Sequence, residues 1–186
     1  MIFRLWNSIL GLWIQIGEKF LPPTVHPMLV HFPIACLYLA FGCEVLALVV
    51  RTPDRFFDRV GFWLLIIALC AGVVTAAAGV ISEQYVHWTP TTAALLSIHQ
   101  RDAIYVGLLI VLSITARCVA RYSGRRSSGG RSWSLAGTGH GRATIVSAIL
   151  VLGAVIMITV AARVGGDMVY HYGVGVHGVS FQLPSQ

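Results

Sequence analysis

Histidine is as frequent in this chain as aspartate and glutamate together, and it is unevenly placed. His26 and His31, His87 and His99, and His171 and His177 stand near the ends of long apolar runs, and only His140 lies in a polar stretch. Neutral imidazole is the commonest protein ligand for metals, and two imidazoles from different helices can take both axial positions of a haem iron inside a bundle. Such an iron also needs apolar side chains along the ring edges and basic or hydroxyl groups at the propionates. His31 and His99 are the expected pair, each about one turn inside a predicted helix. Arg101, Arg163 and Tyr170 are placed for the propionates, with Tyr85 and Trp88 at similar depth. His26 and His171 are further candidate ligands. His26 is five residues from His31, about 140° round an ideal helix, so the two do not meet one iron from a regular helix. Because it precedes Pro27, His26 is expected outside the helix and free to point elsewhere.

The same residues admit other chemistry. Imidazoles at a membrane interface bond water, backbone carbonyls or headgroups, and for His87, His171 and His177 that structural role leads. Copper or another divalent ion also suits imidazole, although no chain of ligands runs through the apolar segments. Glu44 is an acid within an apolar run, either protonated and bonded to a neighbouring helix or part of a proton or quinone path. Cys36, Cys43, Cys70 and Cys118 form no paired motif and read as small packing residues. No nucleophile, base and oxyanion constellation can be assembled, so the sequence does not point to a hydrolase.

The elements that must position these groups are set by lipid. Apolar residues make up 56% of the chain and charged residues 11%, which no soluble domain of this length needs for its core. A bilayer core about 30 Å thick takes about 20 apolar residues per helical crossing, and four crossings are predicted at residues 27–50, 60–82, 92–119 and 143–163. The fold is therefore an all-α four-helix transmembrane bundle over residues 22–176. The third helix is expected to start at Thr91 or Thr92, after Pro90, and to carry His99 inward. Gly72, Ala76 and Gly79 share one side of the second crossing, for close packing or to admit a flat cofactor. Residues 1–21 form an amphipathic helix with Arg4, Asn7, Gln15 and Lys19 on a narrow polar side, expected to lie along the outer leaflet. The Gly-, Ser- and Arg-rich stretch 123–141 reads as a flexible cytoplasmic loop and 177–186 as an outer tail.

The net charge of +6 reports topology and does not point to nucleic acid. Arg51, Arg55 and Arg59 follow the first crossing, and Arg117, Arg121, Arg125, Arg126, Arg131 and Arg142 join the third to the fourth. The positive-inside rule puts these loops in the cytoplasm of a bacterial inner-membrane protein, both termini in the periplasm and six of the seven histidines at the periplasmic face.

HPMLVHFPI at positions 26–34, His99, and GGDMVYHYGVGV at 165–176 together resemble a bacterial family of predicted membrane proteins classed as a domain of unknown function. The resemblance runs from about His26 to Val176. It implies a four-helix membrane domain, in some members joined to redox or cytochrome modules, and so favours haem b. The chain departs from the pattern at the second motif, where members commonly carry His directly before GVGV; here Tyr172 stands there and His171 one place earlier.

The expectation is a b-type cytochrome-like electron-transfer subunit, with bis-histidine haem near the periplasmic face, part of or partner to a larger membrane or periplasmic redox complex. Iron with both axial positions filled by protein has no open site, so the chain would carry electrons and not act on a substrate. The alternatives are a non-redox docking subunit and a membrane protein that binds copper or another divalent metal.

Overall fold

A computed structural model describes residues 2–50, 54–127 and 142–176. They form five helices, α1 (Ile2–Phe20), α2 (Val25–Val49), α3 (Phe56–Ser82), α4 (Pro90–Ser127) and α5 (Arg142–Tyr170), with one 3₁₀ turn at Glu83–Tyr85. No strand occurs among the described residues. Four helices, α2 to α5, are long and apolar enough to cross a membrane, and they leave Phe32, Leu39, Val73, Leu108 and Ile149 more than half exposed. Lipid is the solvent that suits such a surface.

The helix starts follow local chemistry. Pro27 falls in the first turn of α2, where a missing N–H breaks no helical bond, so α2 begins at Val25 and takes in His26. The expectation that His26 lies outside the helix is thereby corrected. For α4 the cap is Thr89, not Thr91 or Thr92. Thr92 N–H donates to Thr89 Oγ1 at 3.2 Å and Thr89 N–H donates to Thr92 Oγ1 at 2.9 Å. That reciprocal box leaves Pro90 at the first helical position, which suits its fixed φ. Polar residues extend the helices beyond the predicted crossings, α4 to Ser127 and α5 to Tyr170. The predicted loop 123–141 therefore begins as helix; 128–141, with His140, and 177–186, with His177, lie outside the described residues.

The crossings pack as two hairpins, α2 with α3 and α4 with α5; α2 also meets α5, and α3 meets α4. The four helices thus stand in a ring, with α2 and α4 on one diagonal. Lipid tails are as apolar as leucine, so helix association relies on close packing and small residues. Ala40, Ala68 and Ala154 accordingly lie buried in the core beside Leu37, Leu65 and Val151.

The hairpins are an internal repeat. The 73-residue separation of Glu44 from Arg117 also carries His26 onto His99, and it superimposes the buried positions Pro33, Leu37 and Ala40 on Val106, Ile110 and Ser113. A second constant shift carries Gly61, Leu65, Ala68, Thr75 and Gly79 of α3 onto Ser147, Val151, Ala154, Ala161 and Gly165 of α5. Corresponding helices run in the same direction, the relation of parallel repeats about an axis along the bundle.

Outside the ring, α1 packs on α3. Trp13 Nε1 donates to the Ala77 carbonyl at 3.0 Å, Gly17 lies against Ile81, and Tyr85 donates to the Glu18 carbonyl at 2.9 Å. Each advance along α1 is matched along α3, so the last turns of α1 run beside α3 and do not cross it. Ile9, Leu12, Ile16 and Phe20 stay exposed on its apolar side.

Candidate functional site

At the end of the bundle where α2 and α4 begin, one imidazole enters from each hairpin. His26 Nδ1 lies 2.9 Å from the Thr75 carbonyl of α3, and His99 Nδ1 lies 2.9 Å from the Ala161 carbonyl of α5. A carbonyl only accepts, so each Nδ1 carries a proton, and the neutral form of each ring has its lone pair on Nε2. Donation from the second ring nitrogen to a backbone carbonyl is how metal-ligating histidines are commonly oriented.

Glycines make this possible. Helical side chains tilt toward the N-terminus, so a residue covers the carbonyl of the preceding turn. Gly79 and Gly165 each stand four residues after the accepting carbonyl and leave it open. A Cβ at Gly79 would come 3.0 Å from His26 Nδ1, and one at Gly165 would come 3.4 Å from His99 Cε1. Gly79, noted in the sequence as packing or cofactor space, makes room for a ring. The two rings, on diagonal helices, have centroids 6.2 Å apart and planes at 86°. His26 N–H also lies 3.4 Å from Ser82 Oγ, which ties the first turn of α2 to the end of α3. Among the described residues, neither Nε2 has a hydrogen-bond partner.

The structure brings His99 to His26, not to His31. His31 is exposed on α2, as the rotation of about 140° between positions five apart requires once both are helical. Arg101 is exposed and donates through Nε and Nη2 to its neighbour, the buried Asp102, at 3.0 and 2.9 Å. Arg163 and Tyr170 are exposed on α5. His171 is also exposed, 3.3 Å from Asp167 one turn earlier. His87 lies exposed between α3 and α4.

A second polar cluster sits at the opposite end. Arg117 is buried; Nη1 donates to Glu44 Oε1 at 2.7 Å, and Nη2 donates to the carboxylate and to the backbone carbonyl of Asp58. Ser147 Oγ donates to the same Glu44 oxygen at 2.7 Å and lies 2.6 Å from Ser113 Oγ. Phe62 faces the guanidinium at 5.5 Å. The cluster joins α2, α3, α4 and α5. Glu44 therefore has a partner that sequence reading missed, because Arg117 was grouped with the basic loop. The signal was the repeat itself, since the shift relating His26 to His99 also relates Glu44 to Arg117.

Comparison with curated proteins and with solved structures gives no match. The family model does match, over residues 22–178, which spans both hairpins and both polar clusters. The chain thus belongs to the predicted membrane protein family DUF2231, a domain of unknown function.

Proposed function

We propose that the chain is a membrane-bound b-type cytochrome domain in which His26 and His99 hold one haem iron and pass single electrons. The observation that carries this reading is the imidazole pair. Metal–imidazole bonds of about 2.0–2.1 Å would put each ring centroid about 3 Å from a metal held between them, so the two rings would lie roughly 6 Å apart. The centroid separation of 6.2 Å fits that arrangement. The donor set fits as well, because both rings hold a proton on Nδ1 and a lone pair on Nε2. The carbonyls of Thr75 and Ala161 orient the rings, and the absent side chains of Gly79 and Gly165 admit them. Haem iron supplies reversible one-electron transfer and, between two imidazoles, has no open position for a substrate.

Orientation follows from charge. Arg55, Arg59, Arg121, Arg125, Arg126 and Arg142 gather at the end away from the imidazole pair, and Arg117, now inside the bundle, leaves that count without reversing it. The positive-inside rule makes that end cytoplasmic in a bacterial inner membrane. The His pair, the start of α2 and the end of α5 then face the periplasm, where a membrane or periplasmic redox protein is the partner. Arg101 and Arg163, exposed near the same end, are the basic groups within reach of propionates or of that partner.

The test is the visible spectrum of the purified full chain, oxidised and dithionite-reduced, with a pyridine haemochrome. The reading expects a reduced α-band of b type, lost in His26→Leu and in His99→Leu and kept in His31→Leu. A colourless protein, copper in place of iron, or a band that survives loss of His26 would overturn it.

A further inference from the structure

We infer that the cluster around Arg117 is a proton-binding site, in which Glu44 holds one exchangeable proton on Oε2 taken from water at the rim marked by Arg55. This goes beyond the haem reading and stands without it.

Glu44 is wholly buried. Its Oε1 receives both available hydrogen bonds, from Arg117 and Ser147, and its Oε2 receives none. The groups facing it are Cys43 beside it on α2, Asp58 of α3, Ser113 and Arg117 of α4, and Ser147 of α5. Arg55 stands behind Asp58, 4.0 Å from its second carboxylate oxygen and 31% exposed. Arg117 is already met by the carboxylate and backbone carbonyl of Asp58 and by the face of Phe62. Arg117 is thus shared between two acids, and Glu44 is the one whose second oxygen no donor reaches. With both acids ionised, Oε2 would be a carboxylate oxygen inside the bundle with no donor, a costly arrangement. A proton on Oε2 removes that charge and leaves both bonds to Oε1 in place.

The step balances simply. An O–H bond forms at Oε2, one O–H bond of a hydronium ion breaks, and water remains. Ionisable groups of this kind within membrane helices mark proton relays. The way in runs past Asp58 and Arg55 in and before the first turn of α3, which in the proposed orientation opens to the cytoplasm.

Infrared spectroscopy of the full chain in lipid nanodiscs reads the proton directly. At neutral pH the wild type should show the carbonyl stretch of a protonated carboxylic acid, shifted on exchange into heavy water. The band should vanish in Glu44→Gln, which preserves size and hydrogen bonding, and persist in Asp102→Asn. Absence of the band from the wild type overturns the proposal without recourse to any variant, as does a band that survives Glu44→Gln or fails to shift in heavy water. A haem-free preparation that still shows the band supports the proton site and removes the cytochrome reading alone.

Discussion

At one end of the bundle the two hairpins bring like groups together, His26 with His99; at the other they bring unlike groups, Glu44 with Arg117. Each pair occupies corresponding positions of the repeat, about 27 Å apart along a helix of 1.5 Å rise. The difference is chemical. Glu44 and Arg117 meet directly, and with Asp58, Ser113 and Ser147 they bind the four helices together, leaving one oxygen, Glu44 Oε2, without a donor. Two imidazoles, each with its Nδ1 proton committed to a carbonyl, offer in their neutral form two lone pairs and no donor between them. Such a pair can be completed from outside by a Lewis acid, a proton or a hydrogen-bond donor. A repeat that stays symmetric at one end therefore suggests a ligand shared by both halves, and a repeat that has diverged at the other suggests structure and charge storage.

The comparison breaks most severely if Arg117 is removed. Arg117→Met should destabilise the protein by about 3–5 kcal/mol, because Asp58 loses its buried counter-charge and Glu44 loses a donor inside the bundle. Thermal unfolding in detergent measures it. His26→Leu and His99→Leu should lower the unfolding midpoint far less than Arg117→Met, by what the bound ligand contributes, while abolishing the proposed haem spectrum. Loss of the spectrum through general unfolding in the histidine variants would erase the distinction between the two ends.

How far each end could be read in advance differs for physical reasons. Crossings are legible because lipid solvation depends on composition along a run, and α2 to α5 match the four apolar stretches. His99 is legible because the helix carrying it extends well before its charge-free core. Its partner is not, because a proline after His26 reads as a helix boundary, whereas in the first turn of α2 Pro27 lacks only an N–H that has no helical acceptor. The cluster at Arg117 is hidden for another reason. An arginine at the end of an apolar run looks like topology, and nothing local pairs it with a glutamate 73 residues away. Tertiary contacts between repeats become visible only when the repeat is aligned.

A smaller effect belongs to Ser147. It shares Glu44 Oε1 with Arg117 and also meets Ser113, so Ser147→Ala removes a secondary bond within a cluster that keeps its counter-charge. Interhelical hydrogen bonds in membranes contribute about 0.6–2 kcal/mol, and the unfolding midpoint should fall accordingly, with the haem spectrum unaffected. A loss as large as that of Arg117→Met would mean that the hydroxyl, and not the ion pair, organises this end.

The finest comparison lies within the imidazole pair. Gly79 and Gly165 correspond in the repeat, yet a Cβ at Gly79 would meet His26 Nδ1 at 3.0 Å, whereas one at Gly165 would meet His99 Cε1 at 3.4 Å and Nδ1 at 3.6 Å. The first is an overlap with the atom that donates to Thr75; the second is close to ordinary contact. Alanine stabilises a helix interior by about 1 kcal/mol relative to glycine, and overpacking costs about 1–3 kcal/mol. The two terms roughly cancel or favour alanine at Gly165, while at Gly79 the overlap outweighs the gain. Gly79→Ala should therefore push the His26 ring off its carbonyl and lower the haem-to-protein ratio with a modest drop in unfolding temperature, whereas Gly165→Ala should retain both. The two variants, purified side by side and scored by haemochrome and thermal unfolding, test this ranking directly. Equal losses, or a larger loss at Gly165, would show that the two halves hold their histidines by something other than the carbonyl that each glycine uncovers.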